Sequence, residues 1–171
     1  MKLSITARNA LIATVSALAT CSAARADSGR AMPRDTPAAY WQECASCHVA
    51  YPPGMLPARS WDRVMRGLAK HYGSDASLDA AFEQQIGDWL QLHAGTYKRV
   101  REEPPQDRIT RSAWFERKHR KLAPAVWTDP SVKTAANCAA CHPGAERGRY
   151  DDDDLRFPPG LDERYRRAWN D

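Results

Sequence analysis

Apolar residues recur along this chain at three- and four-residue intervals in separated blocks, and no stretch alternates over the length of a strand. Behind Ser60, the stripe Trp61, Val64, Met65 and Leu68 predicts a helix that ends at His71 and is closed by Gly73. A second helix is predicted over 78–94, with Phe82, Ile86, Trp89 and His93 on one face and Gly95 beyond it. A third runs from Ser112 to about Leu122, aligning Phe115, His119 and Leu122 before Pro124 stops it. Thr36-Pro37 reads as a helix start leading into Cys44, and Asp129-Pro130 as a similar start leading through Val132 and Ala135 into Cys138. A short terminal helix is expected around 164–169.

Between these blocks lie polar or Pro-rich stretches. Tyr51-Pro52-Pro53-Gly54 forces a turn, residues 27–35 are polar and expected to be disordered, and the tail from Pro143 reads as an irregular wrap. The fold class that follows is all-α with long irregular loops. The charged segment 98–108, with Pro104-Pro105, is the boundary expected between a first half, 27–100, and a second, 101–171.

The first 26 residues stand apart. Lys2 and Arg8 precede the apolar run 10–19, and Ala24-Arg25-Ala26 forms an A-x-A cleavage site, so 1–26 is expected to be an export signal with Asp27 as the mature N-terminus. The run is shorter than the roughly 18 apolar residues of a membrane span, and no later stretch reaches that length. Residues 18–21, ending in Cys21, loosely resemble a lipobox, so lipid anchoring is the alternative. Losing the leader removes three basic residues and no acidic one, which brings the chain's 25 basic and 21 acidic residues close to balance. Charge therefore gives no reason to expect nucleic-acid binding.

Of five cysteines, Cys21 falls in the leader and the other four form two pairs, each followed directly by a histidine. Cys44-Ala45-Ser46-Cys47-His48 and Cys138-Ala139-Ala140-Cys141-His142 both match C-x-x-C-H, the attachment signature of haem c. The spacing has a physical cause. Two thiols on one turn reach the two vinyl-derived carbons on one edge of a porphyrin, and the adjacent imidazole meets the iron. A zinc site would use both cysteine pairs but leave His48 and His142 without a role. A thioredoxin-like dithiol belongs in a βαβ pattern that is absent here. Two haem c groups are therefore expected, with Cys44, Cys47, Cys138 and Cys141 as attachment residues and His48 and His142 as iron ligands.

The opposite axial position takes His or Met. Beyond residue 95 there is no methionine, and the histidines are His119 and His142, so His119 is the candidate for the second haem. For the first haem, His71 is favoured and His93 is the alternative, since both end apolar helical faces. Met55 stands too near His48 to cross to the other haem face, and Met65 belongs to a core stripe. Trp41, Tyr51, Trp61, Trp89, Trp114 and Trp127 are expected to pack on the porphyrins.

Four segments carry a wider resemblance: ECASCHVAYPPGMLPARSW (43–61), GLAKHYG (67–73), RITRSAWFERKHRKL (108–122) and VKTAANCAACHPGAERG (132–148). In sequence and order they resemble the dihaem cytochrome c family of proteobacteria. The resemblance implies a small periplasmic one-electron carrier with two low-spin bis-histidine haems, His71 and His119 being the distal ligands. It implies redox protein partners, such as an oxygen-binding monohaem cytochrome c or a membrane cytochrome b. The alternatives are a haem enzyme (peroxidase or small-molecule reductase) and a gas-binding haem sensor, both of which need an open or displaceable iron position. The basic stretch 98–121 and the acidic run Asp151 to Asp154 are candidate docking patches.

Overall fold

The computed structural model describes residues 31–98 and 100–170. The expected export signal, its cleavage site and the Cys21 lipid-anchor alternative lie outside the described residues. The described chain is all-α: α1 (Ala38–Cys44), α2 (Ala58–Arg66), α3 (Ala80–His93), α4 (Ala113–Lys118) and α5 (Glu163–Asn170), joined by 3-10 turns and irregular loops. No helix among the described residues is long and apolar enough to cross a membrane.

The first core is built by α1, α2 and α3. Tyr40 of α1, Leu56, Trp61 and Met65 of the α2 region, and Ile86, Trp89 and Leu90 of α3 close on one another with almost no exposure. The periodicity that marked α3 holds, with one exception: Phe82 is exposed, so the buried stripe begins at Ile86. Ser60 is not the cap expected of it. Pro57 opens α2, as its fixed φ allows, and Ser60 is buried one turn inside. The helix ends at Arg66, and His71 follows a 3-10 turn over Leu68–Lys70. Tyr72 and Gly73 then take positive φ values of 48° and 105°, which reverses the chain so that the Ser74 N–H donates to the His71 carbonyl at 3.0 Å. His71 therefore stands at the start of a tight turn, not on a helical face.

The second half has little regular structure. The helix predicted to reach Leu122 stops at Lys118. Continuing it would bring Arg117, Arg120 and Lys121 together on one face, and Pro124 disfavours helix in the residues before it. No helix leads into Cys138 either. Asp129 and Thr134 turn the chain, their side-chain oxygens accepting the Ser131 and Ala136 N–H groups, Lys133 has φ +72°, and Cys138–Ala140 is a 3-10 turn. Two small clusters hold this region: Met55, Val100, Trp114 and Phe115 in one, Val126, Val132 and Leu161 in the other. The first draws Met55 across from the other half.

Of residues 27–35, expected to be disordered, 27–30 lie outside the described residues, and 31–35 are partly packed. Met32 lies against the first core, and its backbone nitrogen would stand 2.8 Å from a Cβ at Gly148, whose φ is +68°. Glycine there lets the loop after the second cysteine pair press on the N-terminal segment.

Candidate haem sites

The first cysteine pair closes α1, with Cys44 half-buried and Cys47 and His48 exposed. The turn after α2 carries His71 to His48, where the ring centres are 6.2 Å apart and the planes differ by 24°. At the second site α4 does the equivalent work. Ser112 caps it by accepting the Phe115 N–H at 3.3 Å, and the helix delivers His119 to a position 6.3 Å from His142, the planes differing by 82°. With metal–imidazole bonds of about 2 Å on each side, two rings ligating one ion from opposite faces have centres roughly 6 Å apart. Both histidine pairs have that separation.

The protonation chemistry suits ligation. Burial lowers the pKa of His71, His119 and His142 first of all, with the neighbouring histidine of the pair adding to the shift at His71 and His142. Neutral imidazole is the ligating form. His119 Nδ1 donates to the Phe115 carbonyl at 2.9 Å, which leaves Nε2 with its lone pair free. His142 Nδ1 is buried without a hydrogen-bond partner, in a cavity lined by His119, Trp114, Trp127, Cys138 and Cys141.

The cysteines do not resemble a reactive dithiol. Burial pushes Cys44 and Cys138 up to about 11 and raises Cys141, whereas a nucleophilic thiol has a lowered pKa. Among the described residues no three His, Cys, Asp or Glu side chains converge on a metal-sized point, so the two cysteine pairs do not form a shared zinc site. An apolar cavity at the second site, and at both sites a two-residue cysteine spacing beside a pair of imidazoles, fit a haem at each.

His93, the alternative to His71, is engaged elsewhere. Its Nε2 meets Asp35 at 2.9 Å and its ring lies against Trp89. Of the aromatic residues expected at the porphyrins, Tyr51 stacks on His48, Trp127 lies 5.6 Å edge-on to His119, and Trp114 lines the second cavity. Trp61 and Trp89 belong to the first core, where Trp61 Nε1 donates to the Pro53 carbonyl at 2.7 Å, and Trp41 is partly exposed. Sequence reasoning missed Tyr150, whose ring lies 5.6 Å edge-on to His142, and Tyr72, which lies edge-on to His71 with the Arg108 guanidinium 4.2 Å above its own ring. Tyr72 adjoins a candidate ligand and was within reach of sequence reasoning. Tyr150 has no local signal. The two expected docking patches meet, since Lys118 pairs with Asp152 at 3.0 Å, which partly cancels their opposite charges.

Two sites, each pairing a Cys-x-x-Cys-His turn with a second histidine, define a c-type haem protein. A family model described as "Dihaem cytochrome c" matches residues 40–150, and the chain belongs to the dihaem cytochrome c family. The chain is 40% identical to a DHC from Rhodobacter sphaeroides, with a TM-score of 0.58 over 67% of this chain and 97% of that one. It is 34% identical to a dihaem cytochrome type c from Shewanella baltica, with a TM-score of 0.62 over 74% of this chain and 100% of that one. No curated protein matches the chain. Membership makes this an electron-transfer haem protein with two haem c groups, and redox proteins are its class of partner.

Proposed function

We propose that the chain is an exported, periplasmic one-electron carrier in which both haems are bis-histidine and low-spin. In this reading Cys44 and Cys47 hold one haem and Cys138 and Cys141 the other. His48 and His71 ligate the first, and His142 and His119 the second. The observation that carries it is the near-equal separation of the two histidine pairs, 6.2 and 6.3 Å. Each haem, when bound, supplies an iron that gains or loses one electron.

The chain's own residues keep that change small. His119 is oriented by the Phe115 carbonyl, and Phe115 stacks on its ring at 4.0 Å. Trp114 and Trp127 line the second site, and their apolar bulk lowers the local dielectric there. Two histidine ligands, with no methionine, favour lower potentials than a His/Met pair gives. With two histidines engaged at each haem, peroxide or a gas would have to displace one of them to bind. The partners proposed are an oxygen-binding monohaem cytochrome c or a membrane cytochrome b.

Electron paramagnetic resonance of the purified oxidised protein tests the ligation. Near-parallel rings at the first site and near-perpendicular rings at the second are expected to give two distinct low-spin signals, one rhombic and one strongly axial. His71→Ala is expected to turn the first haem high-spin, His119→Ala the second, and His93→Ala neither. A high-spin signal in the unmodified protein, or one in His93→Ala, defeats this assignment. Recovery of haem-loaded protein from the cytoplasmic fraction alone defeats the location.

A further inference from the structure

Tyr51 lies three residues beyond His48 and touches both sites. Its ring stacks on His48 with centres 4.9 Å and planes 29° apart. Its hydroxyl donates to the Ala136 carbonyl at 2.9 Å, bridging 85 residues of sequence. That same carbonyl accepts the Cys138 N–H at 3.0 Å. One carbonyl therefore links Tyr51 to the first attachment cysteine of the second site.

The tyrosine is itself held in place. The Tyr40 hydroxyl donates to the Tyr51 carbonyl at 2.6 Å, and the Tyr51 side chain packs against both the first core and the Met55–Phe115 cluster. A ring fixed at its backbone, its face and its hydroxyl has little rotamer freedom left. Tyr51 spans the boundary between the two halves.

We propose that Tyr51 is a positioning residue that couples the two haem sites. It sets the plane of the His48 ring, fixes Cys138 through Ala136, and supplies a bonded route between the sites. The inference rests on the two-site, bis-histidine reading above. In the exchange one electron leaves ferrous iron at one site and reduces ferric iron at the other. The phenolic proton of Tyr51 stays in its hydrogen bond, and the residue is neither oxidised nor reduced.

Tyr51→Phe and Tyr51→Leu in the full haem-loaded chain test this. Haem content and low-spin signals of the unmodified protein are measured first. If two low-spin haems are absent there, the ligation reading fails before Tyr51 is tested. With both present, the electron exchange rate between haems is followed after rapid photoreduction, alongside the resonance signal of the first haem. Tyr51→Phe keeps the stacked ring and loses the hydroxyl. It is expected to preserve the first-haem signal and slow exchange several-fold. Tyr51→Leu is expected to slow exchange and also to shift the first-haem signal, because nothing then holds the His48 ring plane. Unchanged exchange in Tyr51→Phe overturns the proposal, and this variant decides the matter if Tyr51→Leu fails to load haem.

Discussion

Ser112 sustains a helix of only six residues, far below the length at which an isolated helix holds together in water. Its hydroxyl donates to the Ile109 carbonyl at 2.7 Å and accepts the Phe115 N–H, all with 6% exposure. Replacing such a cap by alanine costs about 1 kcal/mol, within a range of roughly 0.5–2. Ser112→Ala is therefore expected to lower the unfolding free energy of the haem-loaded protein by that amount, read as a shift of its guanidinium midpoint at unchanged slope, with the second low-spin signal retained. An unchanged midpoint removes the cap from the account of how His119 is held. Legibility at this scale followed sequence distance. The cysteine pairs with His48 and His142 could be read directly, because attachment chemistry needs them contiguous. His119 could be picked out as a candidate by elimination, since residues 101–171 hold no methionine and no histidine besides His142. The sequence favours His71 but leaves His93 open as the alternative, because the Asp35 that engages His93 lies 58 residues away and nothing local announces it.

Between elements, the turn that carries His71 depends on a clamp from another part of the chain. Arg63 of α2 pairs with Glu103 at 2.7 Å and with Asp107 at 2.5 Å, and the Tyr72 hydroxyl donates to the Gln106 and Asp107 carbonyls, each at 3.1 Å. Gln106 and Asp107 both have positive φ, a strained geometry for non-glycine residues that these contacts hold in place. The hydrogen bond from Arg63 holds the Asp107 carboxyl below its ordinary 3.8. The folded chain thus binds a proton there less readily than the unfolded chain. The stabilisation is fully present above pH 3.8 and is lost as pH falls through the lowered value. Asp107→Asn is expected to be less stable than the parent at neutral pH, with the gap closing as pH drops below 3.8, as read from urea midpoints across a pH series. A gap constant over the whole range means that Asp107 contributes packing alone. Helix α3 was legible nearly to its ends because one face is buried along several turns. The approach to Cys138 misled, since proline after aspartate reads equally as a helix start and as a turn, and the local hydrogen bonds accepted by the Asp129 and Thr134 side chains decided for the turn.

At the scale of the whole molecule, the two ends of the chain do not sustain themselves equally. The core of α1, α2 and α3 contains Tyr40, Leu56, Trp61, Met65, Ile86, Trp89 and Leu90 and closes on protein alone. Residues 112–161 have one short helix, a series of 3-10 turns and one small buried cluster of their own, and share a second with Met55 and Val100. The packing that brings Met55 and Tyr51 onto that region was not legible, because periodicity reports which face is buried and not what covers it. Small chains with little core fold only with added apolar bulk or cross-links, and a covalently held haem supplies both. Removing the second attachment site should therefore cost far more structure than removing the first. The double variant Cys138→Ala, Cys141→Ala is expected to carry one haem per chain and to be cut readily by protease within 112–161, with 38–93 protected. Its loss of far-ultraviolet circular dichroism should be small, since the affected region has so little helix. Cys44→Ala, Cys47→Ala is expected to keep 38–93 protected without its haem. Mass mapping of the fragments separates these outcomes, and equal protection of 112–161 in both variants would show that this region folds on protein contacts alone.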